Sequence, residues 1–145
     1  MRRRLIITVF LTIVIAFMSA CQDKKRETLP IDFNRLKESS SSYDFYIKVD
    51  DKADSVELYS QSKNQDTRAV NKIEKIAQSK LNNNEEVCFR SDSITSITVV
   101  DKKEKLILKS DKCISKSRLK HKDKIIFTHK NGNSVTVNFM GCDEV

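Results

Sequence analysis

Four cysteines, two histidines and the carboxylate pairs Asp50-Asp51 and Glu85-Glu86 are the side chains of this 145-residue chain whose types and spacing could carry chemistry. The cysteines are Cys21, Cys88, Cys113 and Cys142; the histidines are His121 and His129. Cys113, His121, His129 and Cys142 are the metal-ligand types nearest one another, but intervals of eight, eight and thirteen residues match no close-paired zinc spacing. His129 also falls in an alternating stretch that sends its neighbours to the opposite face. No metal and no cofactor is therefore expected. Hydrolysis by paired carboxylates needs two of them facing across a bond. Asp50-Asp51 reads instead as a turn and Glu85-Glu86 as the start of a strand, both solvated. There is no Gly-x-Ser-x-Gly, and Gly132 and Gly141 are the only glycines, so no phosphate-cradling loop is present. The expectation is a protein that is not an enzyme.

Cys21 stands apart by its setting. Met1-Arg2-Arg3-Arg4 precedes an apolar run from Leu5 to Phe17, and Met18-Ser19-Ala20-Cys21 follows. Basic start, short apolar run and small residues before a cut are the layout of a secretory signal peptide. Leu5 to Ala20 would span about 24 Å as a helix, short of a hydrocarbon core of roughly 30 Å. A cysteine directly after Ser19 and Ala20 resembles the lipobox of bacterial lipoproteins. The resemblance implies removal of residues 1–20, a diacylglycerol thioether on Cys21 and an N-acyl group such as palmitate. Several acyl chains make a stable anchor where one does not. Gln22, rather than Asp, follows the cysteine, which by the same resemblance implies the periplasmic face of the outer membrane, with the inner membrane as the alternative.

Cleavage there would remove three arginines and no acid, lowering the formal charge from +7 to +4. The excess is local. Between residues 101 and 130, eleven lysines and arginines accompany four acids, Asp101, Glu104, Asp111 and Asp123. Such a stretch is a solvated face or an attraction for an acidic protein or lipid headgroup. Nucleic acid is not expected in the periplasm. In that oxidising compartment one disulfide among Cys88, Cys113 and Cys142 is expected, with one thiol left over. Cys88–Cys113 is preferred; Cys113–Cys142 competes, and spacing alone admits both.

The elements that would position these residues are mostly strands. Residues 21–42, with Pro30 and the run Ser39 to Ser42, read as a flexible tether behind the acylated cysteine. Leu29, Ile31, Phe33 and Leu36 offer the alternative of a short turn against the domain. Residues 43–145 read as one mainly β domain. Tyr43, Phe45, Ile47 and Val49 alternate, and Val56 and Leu58 continue after the turn Asp50-Asp51-Lys52. Further strands are expected at Glu86–Arg90, Ile94–Val100, Lys105–Lys109, near Cys113, Lys124–Lys130 and Asn133–Phe139. Val70, Ile73, Ile76, Ala77 and Leu81 fall at helical spacing behind a cap at Asp66 or Thr67, predicting one amphipathic helix to Leu81. The fold class is an antiparallel, sandwich-like domain of about seven strands with one packed α-helix.

Asn131-Gly132 suits a two-residue type I′ hairpin turn. That turn would pair Thr128 with Val135, Ile126 with Val137 and Lys124 with Phe139. Ile125 and Phe127 would then lie on the face opposite Val135, Val137 and Phe139. They are covered by the helix or tether, or they form a partner-binding patch. With Lys120, Lys122 and Lys124 as a basic rim, these five are the candidate partner-binding residues.

Val87-Cys88-Phe89, Lys112-Cys113-Ile114, Leu119-Lys120 and the hairpin Lys124 to Phe139 resemble periplasmic immunity lipoproteins of type VI secretion. The family pattern often has Pro where Lys112 stands, and the expected helix has no counterpart in it. The resemblance implies stoichiometric binding that neutralises a secreted toxin, and charge makes an acidic toxin the expected partner. The alternative is an envelope accessory lipoprotein or a lysozyme-type inhibitor with no toxin partner.

Overall fold

The structure, a computed structural model, describes residues 26–63 and 70–141. Cys21, Cys142 and the expected helix cap at Asp66 or Thr67 lie outside the described residues. The fold is mainly β, and the described residues form ten strands in two sheets with one α-helix. In order the elements are β1 (Leu29–Pro30), α1 (Phe33–Ser39), β2 (Tyr43–Asp50), β3 (Ser55–Ser62), β4 (Ile73–Lys80) and β5 (Glu86–Arg90). Then come β6 (Ile94–Val100), β7 (Leu106–Ser110), β8 (Cys113–Ser115), a 3-10 turn at Lys116–Arg118, β9 (Lys124–His129) and β10 (Ser134–Met140).

Seven strands form a large sheet in the order β4-β3-β2-β10-β9-β6-β7, and β1-β5-β8 form a small one. Pairings are antiparallel except β10 with β2 and β1 with β5, which are parallel. Alternation decides which side chains meet between the layers, since successive residues of a strand point to opposite faces. Phe45, Ile47 and Val49 from β2, Val56 and Leu58 from β3, and Ile97 and Val99 from β6 are buried there. Val87, Phe89, Ile114 and Leu119 meet them from the small-sheet side, in one continuous core.

The expected tether is part of that core, at least from Leu29. Leu29, Ile31, Phe33 and Leu36 are all buried, and burial of each is worth roughly 1.5–3 kcal/mol. Two local features hold the segment in place. Leu29 and Pro30 pair with Phe89 and Arg90, and the Ile31 N–H donates to the Arg90 carbonyl at 3.0 Å. Asp32 then caps α1, its Oδ1 accepting the Arg35 N–H at 3.2 Å. The packed helix of this fold is therefore α1, seven residues long.

The helix expected up to Leu81 is instead strand β4. It pairs with β3 from Ser55↔Lys80 to Gln61↔Ile73, with a bulge where Leu58 faces Ala77 and Tyr59 faces Lys75. The bulge leaves Ile76 as an extra residue, so the apolar positions lose their period of two and mimic helical spacing. Val70 and Ile73 show the difference directly, at 92% and 62% exposed.

The last hairpin forms with a register one residue away from the expected one. Val135 faces Phe127, Thr136 faces Ile126 and Val137 faces Ile125. The cause is the turn. The Gly132 N–H donates to the His129 carbonyl at 2.9 Å and the His129 N–H to the Asn133 carbonyl at 2.7 Å. Gly132 sits at φ +88°, so three residues, not two, join the strands, with the glycine left-handed. A one-residue slip flips a strand's faces. Gly132→Ala meets no atom within 4 Å, so its cost is backbone alone. A loss of about 1–2 kcal/mol is expected in urea unfolding, with Gly132→Asn losing less.

Candidate functional site

The register change settles where the expected partner-binding residues go. Ile125 and Phe127 are both 0% exposed and belong to the core with Val135, Val137 and Phe139. They form no surface patch. Phe127 meets the Phe89 ring edge-on at a centroid distance of 5.0 Å, which joins the large sheet to the small one. Lys120 and Lys122 are exposed. Lys124 is half-buried on the outer face of the sheet, its ammonium 3.6 Å from Glu104.

Cys88 and Cys113 are joined in a disulfide. They stand opposite each other in the antiparallel pair β5–β8, so the bond lies across the ladder. Asn82 Nδ2 donates to Cys88 Sγ at 3.1 Å. Glu86 brings a carboxylate oxygen within 4.8 Å of both sulfurs, the one metal-type grouping among the described residues. Both sulfurs are committed to the disulfide and offer no thiolate to an ion.

The remaining chemical residues have local structural partners. His129 Nδ1 accepts the Asn131 N–H at 3.0 Å, and its ring lies 4.8 Å from that of Phe33. His121 Nδ1 accepts the Gly141 N–H at 3.3 Å. Asp50 Oδ1 accepts the N–H groups of Lys52 and Ala53, fixing the β2–β3 turn. Asp51 forms an ion pair with Lys116, and Glu86 lies 3.9 Å from Arg26.

Two adjoining depressions on the surface do gather unusual side chains. The first, about 810 Å³, opens on the outer face of the large sheet. Tyr46 of β2 and Tyr59 of β3 face each other there across the ladder, with Lys48 opposite Glu57 beside them. Ile73 of β4 and Met140 of β10 flank the tyrosines and are 62% and 37% exposed. Tyr59 donates to Glu57 at 2.5 Å, and Lys75 stands 3.5 Å from the same carboxylate. That hydrogen bond, followed by burial and the Glu57 charge, pushes the Tyr59 hydroxyl up from its ordinary range. Burial, with the charge of Asp44 second, does the same for Tyr46. Both phenols stay protonated at physiological pH, and Tyr59 donates to Glu57.

The second depression, about 560 Å³, is ringed by Lys102, Lys103, Lys105, Arg118 and Lys120 around Ile107. Its acids turn toward their own loops. Asp101 Oδ1 accepts the N–H groups of Lys105 and Lys103 at 2.9 and 2.8 Å. The Lys105 bond, ahead of the other contributions, holds that carboxyl below its usual range. Asp123 is buried, its Oδ2 accepting the Lys120 N–H at 2.7 Å. Five cations against Asp101 and Asp123 leave the depression with a net positive charge. His121 lines both depressions and makes them neighbours.

Sequence reasoning located the basic stretch but not the tyrosine-lined depression. Its signal was present in part, because Tyr46 and Lys48 occupy the strand positions opposite the core face of β2. Ile73 was hidden by its apparent helical spacing, and Met140 by the unforeseen pairing of β10 with β2. Comparison with family models, curated proteins and solved structures gives no match for this chain.

Proposed function

We propose that this chain is a lipid-anchored periplasmic protein that acts by binding another protein, as an immunity lipoprotein binds and neutralises a secreted toxin. The observation that supports it most is the lysine-ringed depression. A ring in which cations outnumber acids five to two projects a net positive field that speeds encounter with an oppositely charged partner. Its effect falls on association rate more than on affinity. Acylation at Cys21 would supply the anchor. Leu29 is fixed in β1 eight residues further on, so even a fully extended leash reaches only roughly 28 Å. The domain would act close to the membrane surface.

Capture from envelope extract by the full acylated chain tests the reading. Recovery of a secreted hydrolase whose activity the chain blocks supports it. Turnover of lipid, peptidoglycan or nucleic acid by the pure chain would overturn it. With the captured partner in hand, the triple change Lys103→Glu, Lys105→Glu and Lys120→Glu is expected to slow association about tenfold or more at low salt. It should also flatten the salt dependence, as read by stopped-flow mixing. An unchanged rate would remove the basic rim from the mechanism.

A further inference from the structure

The outer face of a sheet packed on one side is ordinarily polar and solvated. Here the region where β2, β3, β4 and β10 meet departs from that rule. Tyr46, Tyr59, Ile73 and Met140 line one depression there, and Ile73 is 62% exposed. Tyrosine and methionine are the side chains enriched where proteins meet. A tyrosine is also ordered at low entropic cost, because it has only two side-chain torsions to fix. Tyr59 is held further by its hydrogen bond to Glu57.

We infer that this depression is where the partner docks, and that it takes an acidic polypeptide segment carrying one aromatic or aliphatic anchor residue. The inference rests on the protein-binding reading above and adds the place and the chemistry of the contact. The charges determine the chemistry. Lys48 lies in the depression, while the one carboxylate paired with it across the ladder, Glu57, is held by Tyr59 and Lys75. Beyond His121 the surface continues into the ring of Lys102, Lys103, Lys105, Arg118 and Lys120. An apolar anchor seated between Tyr59 and Met140 would leave flanking acids within reach of those cations. A basic segment would meet repulsion from that ring.

A bilayer fits this surface less well. Side chains that enter a membrane protrude from a convex edge, whereas these tyrosines line a hollow. Just before β1, the Glu27 carboxylate accepts the Lys80 N–H at 3.0 Å, at the end of β4 opposite Ile73. The hollow therefore lies at the far end of β4 from Glu27.

The test pans a displayed library of random peptides against the full chain. Enriched peptides are expected to combine Asp and Glu with a Phe, Trp or Leu. Their affinity should fall about tenfold or more with Tyr59→Ala, and similarly with Met140→Glu, whose site is exposed enough to leave folding intact. Lys103→Glu with Lys120→Glu should weaken the same peptides. Enrichment of basic or uncharged peptides, no enrichment at all, or binding indifferent to Met140→Glu would each overturn the inference. So would phosphatidylglycerol vesicles that bind this face and compete with the peptides. The two readings fail differently. A captured protein partner that binds the Met140→Glu chain as well as the unaltered one removes this docking site and leaves the protein-binding reading standing. Absence of any captured partner removes the reading itself.

Discussion

Phe127→Ala is expected to lower stability by about 3–5 kcal/mol, measured by urea unfolding at 25 °C. The side chain is 0% exposed, at the centre of β9. It packs edge-on against Phe89, so its removal opens a cavity at the contact between the two sheets. A total stability of 5–15 kcal/mol is ordinary for a domain, and a change of this size would consume a large part of it. Phe127→Leu refills most of the volume and is expected to lose less than about 1.5 kcal/mol. The pair of variants separates the two possible places for this residue. On a solvated patch Phe127→Ala would scarcely move the unfolding midpoint and would instead weaken partner binding. In the core it moves the midpoint, and the molecules that remain folded bind as before.

Replacing both Cys88 and Cys113 with alanine is expected to lower stability by about 3 kcal/mol in the chain-entropy view of a cross-link over a 25-residue separation. Alanine is the right substitute, because Cys88 is buried and a serine would leave a hydroxyl there to be satisfied. The small sheet should suffer most. Its strands β1 and β8 are two and three residues long, so few ladder bonds hold them once the covalent tie is gone. Val87 and Phe89 of β5 and Ile114 of β8 reach the core from this sheet, which spreads the damage. Amide exchange in β5 and β8 should quicken more than in β2 and β10. Matching losses in the double variant and in the reduced unaltered chain would identify the disulfide as the cause. An unfolding midpoint that ignores both changes would show that the ladder alone suffices.

Much of the sheet structure was legible from short β-rich runs, with clear alternation in β2 and β10. Glu86–Arg90 and Ile94–Val100 form over the expected residues, and Cys88 pairs with Cys113 as preferred. The failures share one physical origin, which is tertiary pairing overruling a local signal. The bulge in β4 made Ile73, Ile76 and Ala77 look helical, and only β3 beside it makes that segment a strand. Asn131-Gly132 is compatible with two hairpin loops that differ by one residue. That small difference puts Ile125 and Phe127 on the core face with Val135 and Val137, not on the opposite face where they would be either covered or partner-binding. The segment from Leu29 to Ser39 looked like a leash because its polar residues outnumber its apolar ones. It docks because four apolar side chains fall where α1 and β1 can bury them together. The site followed the same pattern. The lysines could be counted along the chain, but their neighbourhood with Tyr46, Tyr59, Ile73 and Met140 exists only once β10 lies parallel to β2. Cys21 and Cys142 lie outside the described residues, so the anchor and the leftover thiol stand as sequence readings.

Function by holding a partner has a stoichiometry, and stoichiometry is the most direct test. The activity of the captured secreted enzyme should be titrated with the full chain at concentrations well above their dissociation constant. Inhibition is expected to rise linearly and to saturate at one chain per enzyme, with Met140→Glu shifting the curve toward excess chain. Undiminished activity in the presence of a large excess of chain, or catalytic consumption of a substrate by the chain itself, would contradict the proposal.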